Sequence, residues 1–300
     1  MMKKRNSLIE LYRFIFAMNV VKNHGYFPYQ GSYFSPGRIS VEFFFVLSGL
    51  FLRKSIDKYM NIPFWKGLLF MLKDKLLSLG IPLLIGLLVN IPYNFVTGVQ
   101  SFWDFNIWGY LWYVSDMLLV YIFYFTIRRF VKNEKRFFAI AAIVFFVTAV
   151  IHVVPQFYAW GYFRAFSTMS LGILISYIPP IKIKKQWLLC IPLIFVWAYV
   201  LRMLLFDFTF IEEEILNLVA YPALIYLTFQ LPIHNKVLNY LGALSFGLYA
   251  YQSVPRLLRV LNIGNVWIYF LIIIGLTVLT DGIMRIIRYQ KKKKQQEQVA

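Results

Sequence analysis

Cysteine is almost missing from this sequence: Cys190 is the only one in 300 residues. A single thiol closes no disulfide within one chain, so a disulfide-framed domain is excluded and the redox compartment is not readable. Histidine is nearly as scarce. His24, His152 and His234 are scattered, no cysteine cluster accompanies them, and their spacing fits no metal-ligand pattern. No metal is therefore expected. No glycine-rich, phosphate-cradling loop occurs either. Acid is short, with 13 Asp and Glu against 31 Lys and Arg. No internal repeat is evident, which weighs against a transporter built from inverted repeats. The loops are short, and no second domain is visible.

What the chain has in excess is apolar surface. Sixty per cent of its residues are hydrophobic, 20% are aromatic, and the mean hydropathy is +0.64. Soluble domains average only about 45–50% apolar. The apolar residues fall in runs of roughly 17–25, the length that spans a hydrocarbon core of about 30 Å. The expected fold class is therefore all-α, a polytopic integral membrane helical bundle of about ten transmembrane helices. The spans run roughly Leu8–Phe27, Ile39–Leu52, Leu76–Val96, Ile107–Ile127, Phe137–Val154, Tyr158–Ile178, Trp187–Phe206, Ile215–Leu231, Leu238–Val254 and Val266–Ile287. An interfacial helix is expected within Lys58–Lys75. The opening MMKKRNSLIELYRF resembles a signal peptide, but no small-residue cleavage site follows, so it reads as a retained first helix.

The net charge of +18 suggests nucleic acid, but its placement argues otherwise. Twenty-four Lys and Arg fall in alternate inter-span segments beginning with the N terminus, and five fall in the remaining ones. Positive-inside sorting then puts both termini in the cytoplasm of a multi-pass protein of the cell (inner or plasma) membrane. No nucleic-acid partner is expected. Residues 1–290 form one expected transmembrane domain, and 291–300 form a basic and polar cytoplasmic tail. Its Lys291–Lys294 run faces lipid headgroups.

Ionisable residues inside spans are costly and mark function or pairing. The first span holds Glu10, Arg13, Lys22 and His24. Arg13 and His24 are eleven residues apart, about three turns plus 20°, so they share a face about 16 Å apart along the axis. Lys22 lies on the opposite face and is expected to snorkel. Glu42 opens the second span at a depth similar to His24. It either orients that imidazole or pairs with Arg38. Asp116 follows Trp112, Tyr113 and Ser115, as a site residue or as the counter-charge of Arg13. Asp281 is expected to pair locally with Arg285. His152 and His234 read as ordinary interfacial residues, and Glu212–Glu214 as an acidic outer loop. These residues alone describe a polar seam that would serve a transporter or a transmembrane enzyme.

A family resemblance narrows the choice. IELYRFIFAMNVVKNH is similar to the opening of the membrane acyltransferase-3 family: an acid, then Arg, ten residues, and His, here Glu10, Arg13 and His24. VEFFFVLSGLFL (Val41–Leu52) resembles its second-helix signature, here Glu42, Phe43, Phe44, Leu47, Ser48 and Gly49. LWYVSDMLLVY (Leu111–Tyr121), FRAFSTMSLGILI (Phe163–Ile175) and LGALSFGLYAYQ (Leu241–Gln252) resemble later spans in the same order. The pattern is departed from at three places, one being Glu42 where aspartate is commoner. Lys75 and Ser78 precede Ile81 and Pro82 where the family often has two arginines, and Gln252 stands where it often has histidine.

The resemblance implies acyl transfer, usually acetyl, from acetyl-CoA to a hydroxyl of a carbohydrate or lipid-linked glycan, with membrane lipid around the chain. On that reading Arg13 and Lys75 bind the donor phosphates, and His24 is general base or acyl carrier with Glu42 beside it. Glu10, Ser48, Trp112, Tyr113, Asp116, Arg164 and Gln252 are candidate channel or substrate residues. Two other classes remain: a proton-coupled exporter or flippase with His24, Glu42 and Asp116 as relay, and a non-catalytic membrane protein of the same fold.

Overall fold

The computed structural model describes residues 6–26, 36–96, 112–154, 161–182, 185–206, 209–252, 254, 257–258, 261 and 266–297. Side chains 23–26, 36–38, 78, 87, 89–96, 266–267, 288–289 and 291–297 lie outside that description. The described residues are mostly helical and contain no strand. In order, they form α1 (Ser7–Tyr26), α2 (Pro36–Asp57), α3 (Phe64–Val96), α4 (Trp112–Phe130), α5 (Glu134–Val153) and α6 (Gly161–Ile175). A 3₁₀ turn (Gln186–Leu189) then leads into α7 (Cys190–Leu205). α8 (Phe210–Ile215) passes through a π turn (Leu216–Ala220) into α9 (Tyr221–Phe229), and α10 (Lys236–Ala250) and α11 (Val266–Glu297) complete the bundle.

Among the described residues, three helical stretches are long and apolar enough to cross a membrane: Glu134–Val153, Gln186–Leu205 and Ile268–Ile287. Much of their apolar surface is exposed. Ile143, Phe146 and Val150 on α5, Ile194, Phe195 and Leu205 on α7, and Leu271 and Leu279 on α11 are exposed. Apolar surface of this kind is stable against hydrocarbon and costly in water, at about 25 cal/mol per Å². The ten-span count itself stays an expectation. α2 exceeds its expected span at both ends, and the backbone of α11 stays helical through Lys291–Lys294.

Hydrogen bonds and ion pairs at the helix ends define two poles. At one, Asn6 Nδ2 donates to the carbonyls of Thr228 (2.9 Å) and Leu231 (2.7 Å), and Ser7 Oγ lies 2.9 Å from Asn239 Oδ1. These tie the start of α1 to the end of α9 and the start of α10. At the same pole Arg128 bridges Asp57 (3.1 Å) and Glu134 (2.5 Å), and Tyr177 donates to Glu134 (2.7 Å). The ends of α2, α4 and α6 thus meet the start of α5, as alternating helix directions require. At the other pole Asn19 on α1 donates to Ser40 on α2 (2.8 Å), and Tyr221 donates to the Ile39 carbonyl (2.8 Å).

Between the poles the packing is apolar and close. α2 and α6 approach until a Cβ at Gly49 would overlap the backbone of Met169, and one at Gly172 would overlap the Val46 carbonyl. Small residues let helix backbones approach in this way where no hydrophobic drive exists between apolar surfaces. α3 is interrupted at Gly80, where φ is 46° and ψ is −134°. Only glycine adopts that conformation freely. The interruption separates a first half carrying exposed Trp65, Leu69 and Phe70, where the interfacial helix is expected, from a second, more apolar half.

Candidate active site

A cavity of about 810 Å³ opens among α1, α2, α3, α4, α10 and α11. Five residues singled out from the sequence line it: Glu10, Arg13, Ser48, Lys75 and Tyr113. Their positions follow from the helices that carry them. Glu10 and Arg13 are three apart on α1 and pair at 2.8 Å, with Glu10 buried and Arg13 partly open. Gly242 on α10 makes room for Glu10, since a Cβ there would overlap the carboxylate. Lys75 belongs to the first half of α3. Its Nζ donates to Tyr121 Oη at 2.9 Å and stands 4.3 Å from the centre of that ring.

Beside it, Asp74 is bound by Lys58 at 2.7 Å and by the Tyr59 hydroxyl. The hydrogen bond to Asp74, then that to Tyr59, raises the Lys58 ammonium above its ordinary range.

Farther in, Ser48 Oγ and Tyr113 Oη share a hydrogen bond of 3.2 Å. Tyr121 and Tyr113 both line the cavity and are eight residues apart on α4. That is about 12 Å of depth along the helix. The wall between them is apolar and aromatic, including Phe44, Met117 and Tyr249. α1 runs opposite to α4, inward from the Arg128 pole, and carries His24 about 16 Å beyond Arg13. The side chain of His24 is outside the described residues, as are those of Arg38 and Ser78.

Two lining residues are new: Asp281 and Arg285 of α11. They make the expected local pair, at 2.7 Å, and they also face the cavity. The i, i+4 spacing reveals the pair. Nothing in the sequence shows that α11 packs beside α1 and α10.

Five expected site residues stand elsewhere, Glu42 among them. Asp116 lies against α6, where a Cβ at Gly161 would come 2.7 Å from its Oδ2. The described ion pair of Arg13 is with Glu10, not with Asp116. Trp112 packs on Phe45, with ring centres 5.9 Å apart. Gln252 is buried just past α10. Arg164 is the largest fully buried side chain, and its NH1 pairs with Glu42 at 2.8 Å.

That pair is the centre of a second polar assembly, at the Asn19 pole. Arg164 also lies 3.4 Å from Glu213 and 3.5 Å from Nε2 of His152, which in turn is 3.7 Å from Glu214. Three readings change here. Glu212–Glu214 is not an outer loop: Glu212 completes a capping box with Thr209, Glu213 is buried, and all three residues lie in α8. His152 stands at a helix end as expected but is buried among other polar groups, at 3% exposure. Arg164, counted among the outer-segment charges, sits inside the bundle. The assembly balances buried charge with opposite charge, which a low-dielectric interior demands. Among the described residues, no group of three or more His, Cys, Asp and Glu is arranged to hold a metal ion.

A model of a known family, described as an acyltransferase domain, matches residues 6–285, nearly the whole chain. No curated protein and no solved structure matches. The three membrane-length stretches agree with a membrane protein, and the match runs from the start of α1 into the cavity-lining part of α11. The chain therefore belongs to the acyltransferase-3 family.

Proposed function

We propose that the chain is a membrane O-acyltransferase, with acetyl-CoA as donor and a hydroxyl of a cell-surface or lipid-linked glycan as acceptor. The observation that carries the reading is the cavity itself. It holds Arg13 and Lys75 toward the Arg128 pole and runs inward past Ser48 and Tyr113. Cations at one end suit the phosphates of a coenzyme A donor. An apolar shaft suits its pantetheine arm. The basic pole is assigned to the cytoplasm, where the donor is made.

In this mechanism the acceptor hydroxyl attacks the thioester carbonyl from the opposite pole. His24 takes the hydroxyl proton as the C–O bond forms. The C–S bond then breaks, and the thiolate leaves with a proton returned by the imidazole. The depth of about 16 Å between Arg13 and His24 on α1 is within reach of an extended pantetheine arm. Ser48 and Tyr113 offer hydroxyls along the route. Glu42 serves His24 indirectly, by way of the helix it fixes against Arg164.

The test is transfer of radiolabelled acetyl from acetyl-CoA in membranes. His24→Ala and Arg13→Ala are each expected to abolish transfer while protein level stays that of the wild type. Lys75→Gln is expected to raise the donor KM by about tenfold with kcat little changed. Full transfer by a well-expressed His24→Ala variant would overturn the mechanism. Transport of an intact glycan without acetyl incorporation would overturn the activity.

A further inference from the structure

We propose that Arg285, on the last helix, is a donor-phosphate ligand, and that Asp281 holds it in place of the donor while the cavity is empty. The proposal rests on the reading of this cavity as the donor site. Among the described residues, three cations line the cavity: Arg13 from α1, Lys75 from α3 and Arg285 from α11. They come from three separate helices, so their meeting is a product of the packing. Arg285 is the most open of the three, with its side chain 55% exposed. It places its guanidinium 4.7 Å from the centre of the Tyr240 ring. That stacking orients the planar fork while leaving its edge for oxygen ligands.

The two arginines share one further property. Each is paired at 2.8 Å or less with a carboxylate of its own helix, Arg13 with Glu10 and Arg285 with Asp281. Lys75, by contrast, is held by the hydroxyl and ring of Tyr121. A polyanionic donor meets two guanidinium groups that are already positioned, each with a carboxylate competing for it. Asp281 then has two opposed effects. It positions Arg285, and it repels the phosphates that Arg285 attracts. A partly exposed pair of this kind is worth little on its own, so the donor loses little in displacing it. The last helix thereby adds a third cation to the cavity lining.

The experiment is binding of coenzyme A to the purified full-length protein in detergent, with acetyl transfer measured alongside. Arg285→Gln is expected to weaken coenzyme A binding about tenfold and to raise the acetyl-CoA KM to match, with kcat preserved. Arg285→Lys recovers part of the loss. Asp281→Asn is expected to tighten binding, a direction that a purely structural pair does not produce. S-acetylpantetheine, which lacks the phosphates, is expected to react equally with the wild type and Arg285→Gln. Wild-type affinity for coenzyme A in Arg285→Gln, where the wild type binds, overturns this proposal and leaves the donor site standing. Weaker binding in Asp281→Asn overturns the competing role of Asp281. A wild-type protein that binds no coenzyme A overturns both this proposal and the donor site.

Discussion

At the scale of single residues, Arg164 makes the largest demand on the fold. Its guanidinium is 2% exposed and must be met by charge, because a lone cation in a bundle interior is expensive. Glu42 at 2.8 Å and Glu213 at 3.4 Å meet it. Removing one member of such a pair costs about 3–5 kcal/mol, whereas removing both together costs less. Arg164→Met and Glu42→Gln are each expected to lower the thermal midpoint in detergent, and the double variant to lose less than their sum. A double-mutant cycle reads the coupling directly. Strict additivity would mean that Glu42 is not the partner of Arg164 in solution. If the double variant recovers stability but not acetyl transfer, Glu42 has a part in the chemistry beyond its pairing.

At the scale of elements, the crossing of α2 and α6 is the tightest joint, and it passes through the Leu-Ser-Gly signature. Gly49 sits against the Met169 backbone while its neighbour Ser48 faces the cavity. One turn of helix thus fixes the joint and presents a hydroxyl to the cavity. Gly275 on α11 gives a matched comparison, because a Cβ there meets nothing within 4 Å. Gly49→Ala is expected to destabilise by about 1–3 kcal/mol, the usual cost of overpacking. Gly275→Ala is expected to be neutral or to gain up to about 1 kcal/mol. Thermal midpoints in detergent separate the two, and equal effects would refute the tight crossing.

For the whole molecule, direction is the property that function needs. With Cys190 replaced by serine, Lys132→Cys reports on the basic pole and Thr209→Cys on the other, since both sites are exposed. An impermeant maleimide is expected to label Thr209→Cys from outside intact cells and Lys132→Cys only after lysis. The reverse pattern would put the donor mouth on the wrong side. Much of this was legible in the sequence, and the boundary has a physical reason. Run lengths showed the helices, and the i, i+4 spacing of Asp281 and Arg285 on one helix showed their pairing. Periodicity is local, so it cannot say which helices meet. Glu42 and Arg164 lie four helices apart in the chain, and Arg285 reaches the cavity only through the packing of α11. The burial of His152 and Glu213 depends on depth in the bundle, which span ends known to within a few residues do not resolve.

The assembly around Arg164 also sets an order on biosynthesis. α2 is made before α6, so Glu42 is already present when Arg164 leaves the ribosome. α8 is made two helices later, and Glu213 with it. For that interval Arg164 has one carboxylate and lacks the other, while His152, one helix earlier, is at hand. The first six helices must therefore associate early enough to shelter a half-neutralised charge. α8 arrives as the piece that completes the neutralisation, and a nascent chain halted before it carries an unfinished ion network in its interior.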